Sequence, residues 1–127
     1  MRNLANHTSG TNQPYADVAT GGGFIFTSGQ IPTSADGTTP EDFGEQVRQT
    51  LENLEQTLKL AGADLNDLLK VTVYLDSMED FDEYNRIYID KLRDPGFPAR
   101  TTVEVSRFRG TKRIELEAVA LASGAKG

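Results

Sequence analysis

The chain contains no cysteine and a single histidine, His7, set in a polar N-terminal stretch. The first absence excludes disulfides, thiol catalysis and cysteine-bound zinc. The second leaves too few imidazoles for a histidine zinc site within one chain, and no histidine pair for acid–base cleavage of RNA. No run approaches the ~20 apolar residues of a membrane span, and residues 1–14 lack the apolar core of an export signal. No membrane association and a cytoplasmic location are therefore expected. Asn6-His7-Thr8 matches a glycosylation sequon and reads as chance. Positive charge is also in short supply: 13 Lys plus Arg stand against 19 Asp plus Glu, a net of -6. Nucleic-acid affinity rests on basic residues neutralising phosphates, so no nucleic-acid partner is expected. The densest basic group, Arg107, Arg109, Lys112 and Arg113, reads as a solvated turn.

The 127 residues that remain to be explained have the length of one domain, with 37% apolar residues to build its core. No repeat or linker divides them. A core is expected over about 13–122, between loose ends at 1–13 and 123–127. Gly21-Gly22-Gly23 lies between Val18-Ala19 and Phe24-Ile25-Phe26-Thr27 and reads as a hairpin turn; no helix start follows it, as a phosphate loop requires. A first helix is signalled by Thr39 as cap, Pro40 in the first turn, and Glu41 and Asp42 at its positive end. Phe43, Val47, Leu51, Leu54, Leu58 and Ala61 then form one apolar stripe that Gly62 stops.

Strict alternation marks a strand at Leu69–Leu75, with Leu69, Val71, Val73 and Leu75 on its dry face. A second helix follows a cap at Asp76 or Ser77 and buries Phe81, Tyr84, Ile87 or Tyr88, and Leu92. Asp94-Pro95-Gly96 ends it. Thr101–Val105 pairs Val103 and Val105 against Thr102 and Glu104. Ile114–Leu121 sets Ile114, Leu116, Ala118 and Ala120 against Glu115, Glu117, Val119 and Leu121. The order β-β-α-β-α-β-β gives an α+β sandwich, two helices on one face of a mixed sheet. The other face, with Thr72, Tyr74, Thr102, Glu115, Val119 and Leu121, is more apolar than a solvated face needs to be. It points to a homo-oligomer, the alternative being a sheet simply open to water.

Three segments carry candidate chemistry. Arg100, after Pro98 and at the mouth of a strand, presents a planar fork suited to a carboxylate; the plainer reading is a surface arginine. Glu115 interrupts an apolar strand and is either solvated, paired, or a base, and alternation does not choose between it and Glu117. Thr27-Ser28-Gly29-Gln30-Ile31-Pro32 stands at a strand end, where hydroxyls and free N–H groups line sites or simply make a turn. Tyr15 and Asn85 complete the group, each with a structural alternative as an edge aromatic and a local hydrogen-bonding residue.

Across about residues 13–122 these segments resemble the reactive intermediate deaminase family, also called RidA or YjgF and, in older usage, L-PSP endoribonuclease. The resemblance runs through Pro14-Tyr15, Phe26–Pro32, Gln49–Leu54, Ala61-Gly62-Ala63, Val71–Leu75, Asp80-Phe81 with Tyr84-Asn85 and Tyr88, Pro98–Val103 and Ile114–Ala120. It implies a chorismate mutase-like fold, a homotrimer with clefts between subunits, and no metal or organic cofactor. It implies hydrolysis of 2-imino acids such as 2-iminobutanoate, or of enamines such as 2-aminoacrylate, to 2-oxo acids and ammonia. Arg100 then grips the substrate carboxylate and Glu115 holds the attacking water. Tyr15, Ser28, Gly29, Asn85, Thr101 and Thr102 line the cleft. A non-catalytic protein that binds small 2-oxo acids is the alternative. Two positions depart from the family pattern. Thr102 stands where many members have cysteine, and Gln13 where a glycine usually precedes the Pro-Tyr pair.

Overall fold

A computed structural model describes residues 1–8 and 10–122. The expected tail at 123–127 lies outside the described residues. The strands are β1 (Asn3–Ala5), β2 (Val18–Gly21), β3 (Phe24–Thr27), β4 (Leu68–Leu75), β5 (Ala99–Glu104) and β6 (Ile114–Leu121); the helices are α1 (Phe43–Leu60) and α2 (Phe81–Leu92). The sheet runs β1-β2-β3-β6-β4-β5, parallel only between β4 and β5. A strand-helix-strand crossover forces that parallel pair, because α2 must return the chain to the end where β4 began. Both helices pack on one sheet face, the expected sandwich.

The hairpin turn is as read: Gly21 pairs with Phe24, and Gly22 and Gly23 between them take φ of 61° and 86°, the double left-handed turn that side chains resist. The α1 stripe is buried from Phe43 to Leu58, with Leu54 and Leu58 fully enclosed; on α2 both Ile87 and Tyr88 are buried. The cap of α1 lies later than the sequence suggested. Asp42, not Thr39, accepts from the Glu45 N–H at 3.0 Å, and Pro40 stays outside the helix, its carbonyl held by Gln46 Nε2 at 2.8 Å. Ser77 caps a short turn, Met78–Asp80, that leads into α2.

Three expectations are corrected by pairing. In β4 a bulge at Leu69 shifts the register between Leu68 and Lys70, so Leu68 is buried and Leu69 is 39% exposed. In β5 the faces are reversed. Val71 pairs with Arg100 and Val73 with Thr102, so Arg100 and Thr102 face the helices, while Val103, beside Tyr74, is 38% exposed on the far face. Strand alternation cannot assign a face when the strand sits at a sheet edge and both faces hold mixed residues.

The N-terminus is the third correction. Residues 3–5 add β1 to the sheet, and His7 N–H donates to Asp17 Oδ2 at 2.8 Å. The His7 Nε2 lies 2.8 Å from Thr57 Oγ1. Thr57 donates to Gln30 Oε1 at 2.8 Å, and Gln30 Nε2 donates to the Ser28 carbonyl at 3.0 Å. Since the Thr57 proton is committed to Gln30, His7 Nε2 carries a proton and donates. The N-terminal strap thus reaches, through three hydrogen bonds, the backbone at Ser28.

Candidate functional site

Past Thr27 the chain leaves the regular sheet but keeps contact with β6. Thr27 Oγ1 replaces a backbone partner by accepting from Ala118 N–H at 3.0 Å, and Gln30 exchanges two backbone hydrogen bonds with Leu116, at 2.6 and 3.1 Å. This extension lays Gly29 alongside Glu115. The Glu115 carboxylate packs on the Gly29 backbone so closely that an added methyl would stand 2.9 Å from its Cδ. Gly29 is not in a left-handed conformation. Its lack of a side chain matters here for space alone.

Glu115 lies on the far side of the sheet from the helices, since Ile114 and Leu116 on either side of it are in the core. With Tyr15, Ser28, Gly29, Ile31 and Lys112 it lines a cavity of about 350 Å³. Ser28 is fixed by its hydroxyl, which donates to the Ala16 carbonyl at 2.6 Å, and by its N–H to the Asp17 carbonyl at 3.0 Å. That pair of bonds ties the Tyr15–Asp17 segment to the cavity wall. Glu115 takes part in none of the ion pairs or side-chain hydrogen bonds among the described residues.

Arg100 occupies a different place. Its guanidinium carbon stands 4.6 Å from the ring centre of Tyr88, 5.3 Å from Tyr84 and 5.9 Å from Phe81, all on α2. Such stacking holds the plane of the fork while leaving its N–H edge free. One N–H donates to Asn85 Oδ1 at 2.8 Å, the Tyr84 hydroxyl is a second hydrogen-bonding neighbour, and no carboxylate pairs with the group among the described residues. Arg100 and Asn85 line a second cavity of about 430 Å³ with Tyr88, Ile89, Phe97 and Pro98. Burial, partly offset by the nearby arginine charge, pushes the Tyr88 hydroxyl up to about 12, and burial likewise raises that of Tyr84.

The structure therefore divides the expected residues into two groups. Tyr15, Ser28, Gly29 and Glu115 share one cavity; Arg100 and Asn85 share the other, on the opposite face of the sheet. Thr102 borders the second group indirectly, its hydroxyl 2.6 Å from that of Tyr84. Thr101 faces the other way and accepts from Lys70 Nζ at 2.7 Å. Ile31 belongs to the candidate segment Thr27–Pro32, whereas Lys112 and the aromatic wall of Arg100 carry no site signal in the sequence. Phe81, Tyr84 and Tyr88 at helical spacing were legible as a stripe, but a stripe reads first as packing. Among the described residues no group of three or more His, Asp or Glu side chains is placed to hold a metal ion, and no helix is long and apolar enough to cross a membrane.

Beyond the Glu115 cavity the far sheet face is apolar and open. Leu4, Phe24 and Phe26 are 52%, 43% and 50% exposed, and Tyr15 55%. A mixed six-stranded sheet with two helices on one face defines the chorismate mutase-like class of fold. Comparison with known proteins narrows this. The family model described as Endoribonuclease L-PSP matches residues 6–122. A RutC family protein of Pyrococcus horikoshii is 44% identical over 111 residues, covering 84% of this chain and 86% of that one. The 2-iminobutanoate/2-iminopropanoate deaminase of Escherichia coli is 37% identical over 111 residues, covering 85% and 87%. The crystal structure of Escherichia coli TdcF with bound serine superposes with a TM-score of 0.84 at 32% identity, covering 94% of each chain. The chain belongs to the Endoribonuclease L-PSP family, the family of YjgF and RidA.

Proposed function

We propose that the protein hydrolyses 2-imino acids to 2-oxo acids and ammonia in sites completed between subunits of a homotrimer. One observation carries the reading. Among the described residues the chain presents a guanidinium fork with no carboxylate partner and a carboxylate with no cationic partner, in two cavities on opposite faces of the sheet. The exposed apolar sheet face supplies a surface for a second copy to cover. The deaminase name of the Escherichia coli relative supports the same chemistry.

In this reading Arg100, held flat by Tyr88 and Tyr84, takes the substrate carboxylate in a bidentate grip. Removing translational and rotational freedom is its main contribution. Glu115 of the adjoining protomer orients a water toward C2 and accepts its proton, a role worth ~10²–10⁴-fold. A protonated imine is already electrophilic, so attack by water forms the C–O bond while the C=N π electrons move to nitrogen. Return of the proton from Glu115 to nitrogen lets the C–N bond break and ammonia leave, while the hydroxyl proton passes to the Glu115 carboxylate as the carbonyl forms and departs to solvent or ammonia. Gly29 and Ser28 leave room for the carboxylate and fix the wall behind it. The chemistry calls for no metal or organic cofactor. A cytoplasmic location is part of the proposal, tested by fractionating the source cell.

The assay generates an imine in situ with an amino acid oxidase and follows 2-oxo acid release. Wild type accelerates release, and Arg100→Ala and Glu115→Gln fall toward the rate without protein. Co-expressing the two variants tests the shared site. A mixed trimer contains an interface with both intact halves and regains part of the activity; no recovery places both residues in one protomer's site. A second reading, binding without turnover, is favoured by the serine bound to TdcF, a small molecule with a carboxylate. Calorimetric binding of 2-oxo acids with no hydrolysis of any imine selects it.

A further inference from the structure

The basic group that looked like a solvated turn is split by the fold. Arg113 is committed: it pairs with Asp80 at 3.6 Å, donates to the Glu41 carbonyl at 3.4 Å and stacks on Phe43 at 5.0 Å. Lys112 turns the other way. It is half-buried and lines the Glu115 cavity. It takes part in no ion pair or hydrogen bond among the described residues, in a chain with 19 carboxylates. Lys112 and Glu115 share one cavity without pairing, so the ammonium is available to an occupant.

We infer that Lys112 makes the site selective for doubly anionic substrates, the imines of amino acids whose side chains end in a carboxylate. The inference rests on the deaminase reading and names its substrate class. Arg100 takes the carboxylate beside the imine carbon, which every 2-imino acid carries. A substrate whose C2 faces water held by Glu115 projects its side chain into the same cavity, whose remaining wall offers Tyr15, Ile31 and Lys112. Without a cation there, a second carboxylate meets Glu115 and an acidic chain, and is repelled. With Lys112 the sign of that interaction reverses. An ammonium on a flexible stem, acting as a point charge with three donors, accommodates side chains of different length better than a rigid fork does.

The test compares the imines of glutamate and norvaline, whose side chains match in length but end in carboxylate and methyl. The readout is the ratio of their kcat/KM values, measured for wild type, Lys112→Met and Lys112→Glu. For a half-exposed ion pair the ratio falls about two- to fivefold in Lys112→Met, and further in Lys112→Glu. It also falls for wild type as salt rises, and does so less for Lys112→Met. Parallel changes for both imines, or an unchanged ratio, overturn the inference and leave Lys112 a structural residue. If wild type hydrolyses neither imine, the deaminase reading fails separately. Calorimetry with 2-oxoglutarate and 2-oxopentanoate then reads the same selectivity without turnover. Equal loss of both affinities in Lys112→Met, or none, counts against it there too.

Discussion

Gly29→Ala separates space from stability at the candidate site. Gly29 has ordinary backbone angles, so alanine meets no strain there, and restricting the unfolded chain contributes about 0.4–1 kcal/mol in its favour. The new methyl falls on the Glu115 carboxylate, 2.9 Å from Cδ and 3.2 Å from Cγ, and closer still to Oε2. The carboxylate is the end of a flexible side chain, so it swings aside at about 0.5–1.5 kcal/mol if pushed off its rotamer. The two effects oppose one another, and the unfolding free energy should move by less than about 1 kcal/mol. Turnover should not be spared. A base displaced from its water forfeits most of a ~10²–10⁴-fold contribution, so kcat for imine hydrolysis should drop about 100-fold in a protein that melts almost normally. Glu115→Gln gives the comparison. If Gly29→Ala acts only by moving Glu115, the double variant is no slower than Glu115→Gln alone. Near-wild-type turnover in Gly29→Ala, or losses that multiply in the double variant, would show that the contact has no bearing on catalysis.

Three further outcomes follow from other contacts. Thr102→Val takes the 2.6 Å partner from the enclosed Tyr84 hydroxyl, which keeps Arg100 as a neighbour, and should cost about 0.5–1.5 kcal/mol in denaturant unfolding. Adding Tyr84→Phe should recover part of that loss; strictly additive losses argue that the two hydroxyls are independent. Tyr74 is pushed up to about 12, first by its hydrogen bond to Glu117 and then by burial. The folded value lies above the ordinary 10, so the protonated phenol is favoured by folding. The associated stability is intact below pH ~10 and is lost as pH rises through about 12. Glu117→Gln should bring one phenolate absorbance step down toward pH ~10, and an unmoved titration contradicts the hydrogen bond. Phe26→Asp places a charge on the open apolar face. Sedimentation should show a folded monomer that has lost imine hydrolysis, whereas an undiminished trimer would exclude this face from assembly.

Local pattern was sufficient where each element has one dry side. The α1 stripe from Phe43 to Leu58, the glycine hairpin and the alternation of β6 were all legible because burial is periodic there and the turn needs positive φ. The sequence likewise determined the poverty of catalytic groups, and so the kinds of chemistry open to the chain. It singled out Arg100 and Glu115 by residue type and by family resemblance.

Only the tertiary structure decided which way those two side chains point. A strand's period fixes that alternate residues share a face, but not which face is dry. Edge strand β5, with Val103 and Thr102 both plausible inside, took the orientation that stacks Arg100 on α2. The bulge at Leu69 is invisible in a run of apolar residues, because either of two leucines satisfies the pattern and pairing with β6 selects one. The hold of His7 on Thr57, the contact of Gly29 with Glu115 and the freedom of Lys112 join positions 50 or more residues apart, or oppose neighbours in sequence. Such relations depend on where chain segments pack in space, and hydrophobic periodicity carries no information about that.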